Sequence, residues 1–150
     1  MPRTVLRPKE LSYFPLPAYP YSAGTMAANG MIYTAGLVAF DKNAKLVGVG
    51  DPVKQTRQIL ANIKAVLREA GATFNDVLKC NIYLSDMRYF ADVSNEFRKA
   101  FPRNPPARTT VQAPLAEPEM LVEIEAVAYV GDKGRARPAA APKKSTRKRG

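Results

Sequence analysis

Polar side chains recur along two predicted strands near the end of the chain, and their types suit chemistry on a small anion. On one face of each strand, segments 108–113 and 121–130 carry Arg108, Thr110, Gln112, Glu123 and Glu125. Alternate residues of a strand point to the same side of a sheet. A short loop with two prolines joins the segments, which predicts neighbouring antiparallel strands. If the polar faces coincide, a guanidinium, a hydroxyl and one or two carboxylates would bind an anionic substrate and transfer its protons.

A plainer interpretation of the same spacing stays open. Arginine and glutamate on adjacent strands often form a cross-strand pair on a solvated face, worth a few tenths to about 1 kcal/mol. The chain has no histidine and one cysteine, Cys80. We therefore expect acid–base chemistry from carboxylates, tyrosine, lysine or water, and neither an internal disulfide nor a nitrogen–sulfur metal site. Cys80 lies in an apolar row of a predicted strand, where a buried, unreactive thiol is expected.

The composition predicts one domain followed by a basic tail. A chain of 150 residues, 46% of them hydrophobic, can bury one core. No apolar run reaches the length of a membrane helix and the first residues lack the apolar region of a secretory signal, so we expect a cytoplasmic protein. The domain is predicted over residues 1–131, with an extended lead-in over 1–18. Residues 132–150 hold eight of the 23 lysines and arginines, and we predict a disordered tail there.

Local signals predict the elements between the lead-in and the tail. The predicted strands cover residues 25–28, 31–39, 46–49, 77–84, 108–113 and 121–130. Asn29-Gly30 is typical of a hairpin turn. Asp51 as N-cap and Pro52 at the first helical position begin an amphipathic helix that Gly71 ends. A second amphipathic helix follows the Ser85-Asp86 cap and ends near Pro102.

This order of elements predicts an α+β sandwich, with about six strands in one sheet and both helices on one face. The other face would combine the apolar residues Tyr83, Leu121, Val127 and Tyr129 with Thr110, Glu123 and Glu125. No predicted element remains to cover it, and an apolar patch of that size indicates association. We therefore predict an oligomer whose subunits pack sheet to sheet, with polar pockets between them.

Several short motifs resemble the RidA/YjgF family of reactive-intermediate deaminases. They are Pro20-Tyr21 before the first strand, Ala35-Gly36, the Asp-Pro-capped helix with QTR, AGATFNDV, and PAR followed by EIE. The resemblance extends over residues 19–130. Within the family, TAGLVAFD and GDPVKQTRQIL are most similar to the aminoacrylate deaminase of pyrimidine utilisation. The resemblance implies a chorismate-mutase-like sandwich, assembled as a homotrimer with clefts between subunits.

The same resemblance implies an activity and a set of site residues. Family members hydrolyse enamine or imine carboxylic acids to keto or aldehyde acids and ammonia, without a cofactor. Arg108 would bind the substrate carboxylate, Glu123 would activate water, and Thr110 stands where many members have cysteine. Tyr21 and Gly36 would line the pocket, although Tyr21 alone could equally cover a sheet edge. Many members have asparagine where this chain has Ser94, with Asn95 beside it, so which of the two faces the pocket stays open.

Other functions remain compatible with the sequence. Relatives in the family have been linked to RNA cleavage and translation inhibition, and the basic tail would help non-specific, salt-sensitive binding to RNA. The predicted domain itself has no basic stripe with interleaved aromatic residues and no recognised RNA-binding motif. A third possibility is a small-carboxylate binder without turnover. The tail could also merely aid solubility.

Overall fold

The computed structural model describes residues 3–14 and 20–131. The predicted disorder of residues 132–150 and part of the predicted lead-in therefore lie outside the described residues. The strands within them are β1 (Thr4–Leu6), β2 (Gly24–Met26), β3 (Met31–Thr34), β4 (Val77–Leu84), β5 (Ala107–Gln112) and β6 (Val122–Tyr129). The helices are α1 (Pro52–Glu69) and α2 (Phe90–Ala100).

The six strands form one mixed sheet in the order β1-β2-β3-β6-β4-β5. Because β4 pairs in parallel with β5 and antiparallel with β6, it lies between them. The prediction that β5 and β6 are neighbours is therefore wrong. Their connection crosses the end of β4, where the Ala113 N–H donates to the Leu84 carbonyl (2.9 Å) and the Ser85 N–H donates to the Leu121 carbonyl (3.0 Å).

Helix α1 begins and ends where its capping residues predict, whereas α2 ends near Pro102 as predicted but begins four residues after Asp86. The Asp51 carboxylate accepts from the Lys54 N–H (2.9 Å), and Pro52 is the first residue of α1. Gly71, just after α1, has a φ of 70° that favours glycine. Asp86 caps a short 3₁₀ turn that leads directly into α2.

Both helices cover one face of the sheet, as predicted, and the core lies between them and the strands. Its largest fully buried apolar side chains are Leu11, Ile32, Leu37, Ile59, Ile63, Leu67, Ile82, Leu84 and Ile124. Alternate residues of β4 and β6 supply its sheet side. Leu78 does not, although its position in the alternation predicts burial. A register shift between Val77 and Lys79 puts Val77 in the core and leaves Leu78 52% exposed.

Buried polar side chains of α1 fix the loops that flank the sheet. Gln55 is fully buried, donates to the carbonyls of Gly48 (3.1 Å) and Glu119 (2.8 Å), and accepts from the Leu121 N–H (2.8 Å). It therefore holds the residues that enter β6. The helical pattern predicts Gln55 outside the apolar stripe, and only the tertiary structure gives it these partners.

The N-terminal third departs most from prediction. The lead-in contains β1, which pairs with β2 at the sheet edge, and a short 3₁₀ helix at Lys9–Leu11. The strand predicted at 46–49 is reduced to a single bridge between Phe40 and Leu46. β3 ends at Thr34, where the Thr34 hydroxyl accepts from the Ala126 N–H (2.9 Å) in place of a main-chain partner.

The second face of the sheet carries no helix in the described residues. Exposed Tyr33, Val111 and Tyr129 stand on it beside Val127, which is partly buried. The alternation correctly predicts Tyr83, Val127 and Tyr129 on this face, whereas Leu121, predicted there too, packs against the core. An exposed apolar surface of this kind can support association. Within the described residues, neither helix has the length and apolar content needed to cross a membrane.

Candidate functional site

A cavity of about 610 Å³ opens beside the carboxylate of Glu123. Its lining includes Tyr21, Tyr33, Thr34 and Gly36. Glu123 lies at the beginning of β6, and the segment after β3 runs alongside it through the paired main-chain bonds of Leu37 and Ile124 (2.9 and 3.0 Å). The structure therefore brings together the predicted site residues Tyr21, Gly36 and Glu123 on one side of the sheet.

Gly36 makes room for the Glu123 carboxylate. A Cβ atom built at position 36 would overlap Glu123 Oε1 and come within 2.9 Å of its carboxyl carbon. Since real Cβ contacts are longer than this, a side chain at position 36 would displace the carboxylate. Glycine at position 36 thus leaves the space that the Glu123 carboxylate occupies.

The surroundings of Glu123 favour its protonated form. Burial raises the pKa of the Glu123 carboxyl above its ordinary value, and the charge of Glu125 raises that pKa further. Among the described residues, no cation lies within ion-pair distance of Glu123. A carboxyl with a raised pKa is a stronger base when ionised, which suits proton transfer to and from water.

Glu125, by contrast, is held as a hydrogen-bond acceptor. Its Oε1 accepts from Asn81 Nδ2 (2.7 Å) and from the Tyr83 hydroxyl (3.1 Å), both on β4. Burial first, and then the hydrogen bond to Glu125 and its charge, raise the pKa of Tyr83. Two neighbouring glutamates on one strand face therefore differ in their partners, and only Glu123 reaches the cavity.

Arg108 lines a second cavity, of about 400 Å³, between β5 and α2. Its Nη2 donates to Ser94 Oγ (3.0 Å), and its guanidinium carbon lies 5.2 Å from the ring centroid of Phe90 and 5.3 Å from that of Phe97. Ser94 therefore faces this cavity. The neighbouring Asn95 is exposed and accepts from Arg98 Nη1 (2.9 Å).

Thr110 and Cys80 lie on the same face as Arg108. The Thr110 hydroxyl is shielded from solvent and has no hydrogen-bond partner among the described residues. A buried hydroxyl without a partner is costly, so a substrate or water could supply the missing bond. Burial raises the pKa of the Cys80 thiol to about 12, in spite of the nearby Arg108 charge. Cys80 is therefore an unreactive core residue, as expected.

Within this chain, the two groups of predicted site residues lie on opposite faces of the sheet. Arg108 and Thr110 stand opposite Cys80 and Ile82, on the helix side. Glu123 stands opposite Tyr83, on the uncovered side. The prediction that the polar faces of β5 and β6 coincide is wrong. Because each strand pairs with β4, the polar residues of β5 lie on the helix side of the sheet and those of β6 lie on the uncovered side.

Sequence reasoning missed three residues that shape these cavities. Arg3 lines the Glu123 cavity, and Phe90 and Phe97 flank Arg108. The sequence does contain a signal for the aromatic pair, because Phe90, Ser94 and Phe97 follow helical spacing and share one face of α2. Nothing in the lead-in sequence indicates that Arg3 lines the same cavity as Glu123.

The fold and these two cavities define a small α+β protein whose candidate site residues are divided between the two faces of one sheet. The profile of the endoribonuclease L-PSP family matches residues 13–130. The chain belongs to this family, which is the YjgF/RidA family that its motifs predict.

Solved structures of relatives extend over the same region. A protein of unknown function of the Rid family from Yersinia pestis is 32% identical, with a TM-score of 0.75. A suggested endoribonuclease L-PSP from Entamoeba histolytica is 28% identical, with a TM-score of 0.76. A member of the YjgF/YER057c/UK114 family from Mycobacterium tuberculosis is 31% identical, with a TM-score of 0.72. Each match covers 86% of this chain and 100% of the other.

Proposed function

We propose that this protein is a cofactor-free hydrolase that converts reactive enamine or imine carboxylic acids into keto or aldehyde acids and ammonia. The observation that carries the proposal is the state of Glu123, a half-buried carboxyl with a raised pKa, no cation partner among the described residues, and a cavity beside it. Such a group can take a proton from water and return it. Membership of the YjgF/RidA family supports the same assignment.

In the proposed reaction, Arg108 binds the substrate carboxylate through its guanidinium. Thr110 offers its unpartnered hydroxyl to the substrate or the water. Tyr21 and Gly36 shape the wall opposite, and Ser94 contacts Arg108. Substrates of the size of 2- or 3-aminoacrylate fit this scheme, and the aminoacrylate deaminase branch is proposed on the sequence motifs alone.

The chemistry balances without a cofactor. An enamine first takes a proton at carbon and becomes an iminium, whose carbon is electrophilic. Water then adds to that carbon while Glu123 accepts a proton from it. The resulting carbinolamine receives that proton on nitrogen, its C–N bond breaks, and ammonia leaves as the carbonyl forms. The carbinolamine hydroxyl loses its proton to Glu123 in the same step, and this proton replaces the one that the enamine carbon took up at the start.

We propose that the active form is a homotrimer in which each site takes residues from two subunits. Arg108 and Glu123 lie on opposite faces of one subunit, so one chain does not bring them together. The uncovered face with Tyr33, Val111 and Tyr129 provides the surface for association. A cleft between two subunits would join the Glu123 cavity of one to the Arg108 cavity of the next.

A complementation assay tests activity and site sharing together. Imine acids are generated in place by an amino acid oxidase, and keto acid formation is measured above the spontaneous rate. Arg108→Ala and Glu123→Gln chains are each expected to be inactive. Unfolded together in equal amounts and refolded, they should recover about a quarter of wild-type activity, because a quarter of randomly assembled sites carry both intact residues.

Two outcomes separate the parts of this proposal. Wild-type protein that does not exceed spontaneous hydrolysis would remove the deaminase assignment. Active wild-type protein whose mixed variants stay inactive would remove the shared site, provided that native mass spectrometry, which resolves the mass difference between the two variants, shows mixed trimers. A stable, active monomer would also contradict the assembly.

RNA cleavage is the second candidate, favoured by the endoribonuclease description of the matching family. The proposed contribution of residues 132–150 is non-specific binding to polyanions. The same preparations should be assayed on RNA at low and high salt. RNA cleavage lost in Glu123→Gln and retained after deletion of residues 132–150 would favour this candidate over deamination. The proposed cytoplasmic location is tested by cell fractionation.

A further inference from the structure

Three residues on one face of α2 surround the Arg108 side chain. Phe90, Ser94 and Phe97 are spaced four and three residues apart, so their side chains are successive neighbours along the helix surface. The guanidinium carbon lies 5.2 and 5.3 Å from the two ring centroids, and Nη2 donates to the serine hydroxyl (3.0 Å). We call Phe90, Ser94 and Phe97 the α2 clamp.

The guanidinium contacts both rings of the α2 clamp as well as its serine. Its carbon lies at nearly the same distance from the two ring centroids, 5.2 Å for Phe90 and 5.3 Å for Phe97. Phe97 is buried and Phe90 is 43% exposed, so one ring belongs to the core and the other stands at the mouth of the cavity.

The α2 clamp fixes Arg108 without neutralising its charge. Arg57, Arg68 and Arg88 are each bonded to a carboxylate at 2.8 Å, but no carboxylate among the described residues is within ion-pair distance of Arg108. An acidic partner would hold the side chain equally well, but it would compete with an incoming anion. A hydroxyl and two aromatic faces attract the cation and leave its charge available.

The geometry points to Phe90, Ser94 and Phe97 as positioning residues that hold the Arg108 guanidinium so that its remaining N–H groups face an incoming carboxylate. Ser94 occupies one Nη2 hydrogen, and among the described residues Nη1 and Nε have no hydrogen-bond partner. A fixed guanidinium binds a carboxylate with less loss of side-chain entropy than a free one. This inference rests on the proposed role of Arg108, but binding and turnover can be measured separately.

The test measures carboxylate binding in the intact protein with propionate as the probe and propionamide as its uncharged counterpart. Wild-type protein should bind propionate and not propionamide, and Arg108→Ala should bind neither. Ser94→Ala should weaken propionate binding about 10-fold, because it removes a hydrogen bond to a charged group. Ser94→Thr keeps a hydroxyl and should restore most of the affinity. Phe90→Leu should weaken binding about 3-fold through loss of the ring.

Matched controls lie beside the clamp. Asn95→Ala removes a hydrogen bond to a different arginine, Arg98, and Tyr89→Leu removes the ring that lies 5.8 Å from Arg88. Both should leave propionate affinity unchanged. With an active preparation, Ser94→Ala should raise KM for imine acids by the same factor as the propionate Kd, with a smaller change in kcat.

Three results are decisive. Equal propionate affinity in Ser94→Ala and Asn95→Ala, at unchanged Tm, would overturn the clamp. Wild-type protein that binds no propionate would overturn it as well. Propionate binding that weakens as expected in protein without deaminase activity would support the clamp and remove the proposed reaction.

Discussion

The two sides of α2 hold two arginines in different ways. On one side, Glu96 is buried and binds Arg57 through Nε (2.8 Å) and Nη2 (3.2 Å), with Lys99 Nζ also bonded to it (2.6 Å). On the other side, Ser94 and two rings hold Arg108, with no carboxylate within ion-pair distance in the described part of the chain. The first arrangement pairs the arginine with a carboxylate and joins α1 to α2, whereas the second leaves the arginine charge unpaired. The comparison therefore separates an arginine with a structural partner from the one that is proposed to bind substrate.

The two glutamates show the complementary difference. Hydrogen bonds from Arg57 first, and then from Lys99, lower the pKa of Glu96 to about 2. Burial raises the pKa of Glu123, which has no cation nearby among the described residues. The Glu96 carboxyl is stabilised as an anion, whereas the protonated form of the Glu123 carboxyl is favoured. The comparison separates groups that stabilise the fold from groups that could do chemistry.

The largest expected change in activity comes from substituting Arg108, and Arg57 provides the comparison. Arg108→Ala should lower deaminase kcat/KM by about 100-fold or more with little change in Tm, because substrate positioning is lost. Arg108→Lys should recover little, since an ammonium does not reproduce the two-pronged contact. Arg57→Ala is the matched control and should do the reverse, lowering Tm while keeping activity. Steady-state kinetics measure kcat/KM and thermal melts measure Tm. If Arg108→Ala and Arg57→Ala changed these two quantities alike, the distinction between the two arginines would fail.

The glutamates should differ in the sign of their effect on stability. Glu96→Gln should lower Tm near neutral pH, and the deficit should shrink as pH falls from the ordinary carboxyl value of 4.5 towards about 2, where the wild-type carboxyl takes up its proton. Glu123→Gln should leave Tm unchanged or raise it near neutral pH, because ionising a buried carboxyl is unfavourable. That gain should vanish at acid pH, where Glu123 is protonated in both the folded and unfolded states.

Thermal melts of the two variants and the wild type across pH 2–8 measure this difference. Glu123→Gln should also lower the deamination rate by about 10²-fold or more. Destabilisation of equal size in both variants at neutral pH would contradict the assignment of Glu123 as an unpaired carboxyl.

The smallest effect concerns the room beside Glu123. Gly36→Ala should lower activity about 10-fold, because the new Cβ moves the Glu123 carboxylate away from the position in which it is proposed to act on water. In the Glu123→Gln background, the same substitution should have almost no further effect on activity. An additive loss in the double variant would show that Gly36 acts through another group.

The sequence predicts the helices of this fold better than the order of its strands. Asp51, Pro52 and Gly71 determine the ends of α1 through local hydrogen bonds and backbone conformation. Strand order depends on pairings between distant segments, and no local signal places β4 between β5 and β6. The exposure of Leu78 also depends on a register shift that alternation does not reveal.

The site shows the same division. Residue types and the family motifs identify Arg108 and Glu123 as candidates, and β-alternation correctly places Arg108 with Thr110. Whether two faces coincide depends on the strand between them, so the prediction of a single polar surface failed. Gln55 illustrates the remaining difficulty, because two of its three main-chain partners, the Glu119 carbonyl and the Leu121 N–H, lie 64 and 66 residues away in sequence.

The position of β6 has a consequence for biosynthesis. Among the described residues it is the last strand, yet it lies in the middle of the sheet between β3 and β4. Until residues 122–129 have been synthesised, the β1–β3 group and the β4–β5 pair lack the strand that joins them. At about 5–20 residues per second, a nascent chain would spend several seconds with unpaired strand edges exposed. A chain truncated before residue 122 would therefore keep two half-sheets with unpaired edges that are prone to aggregate.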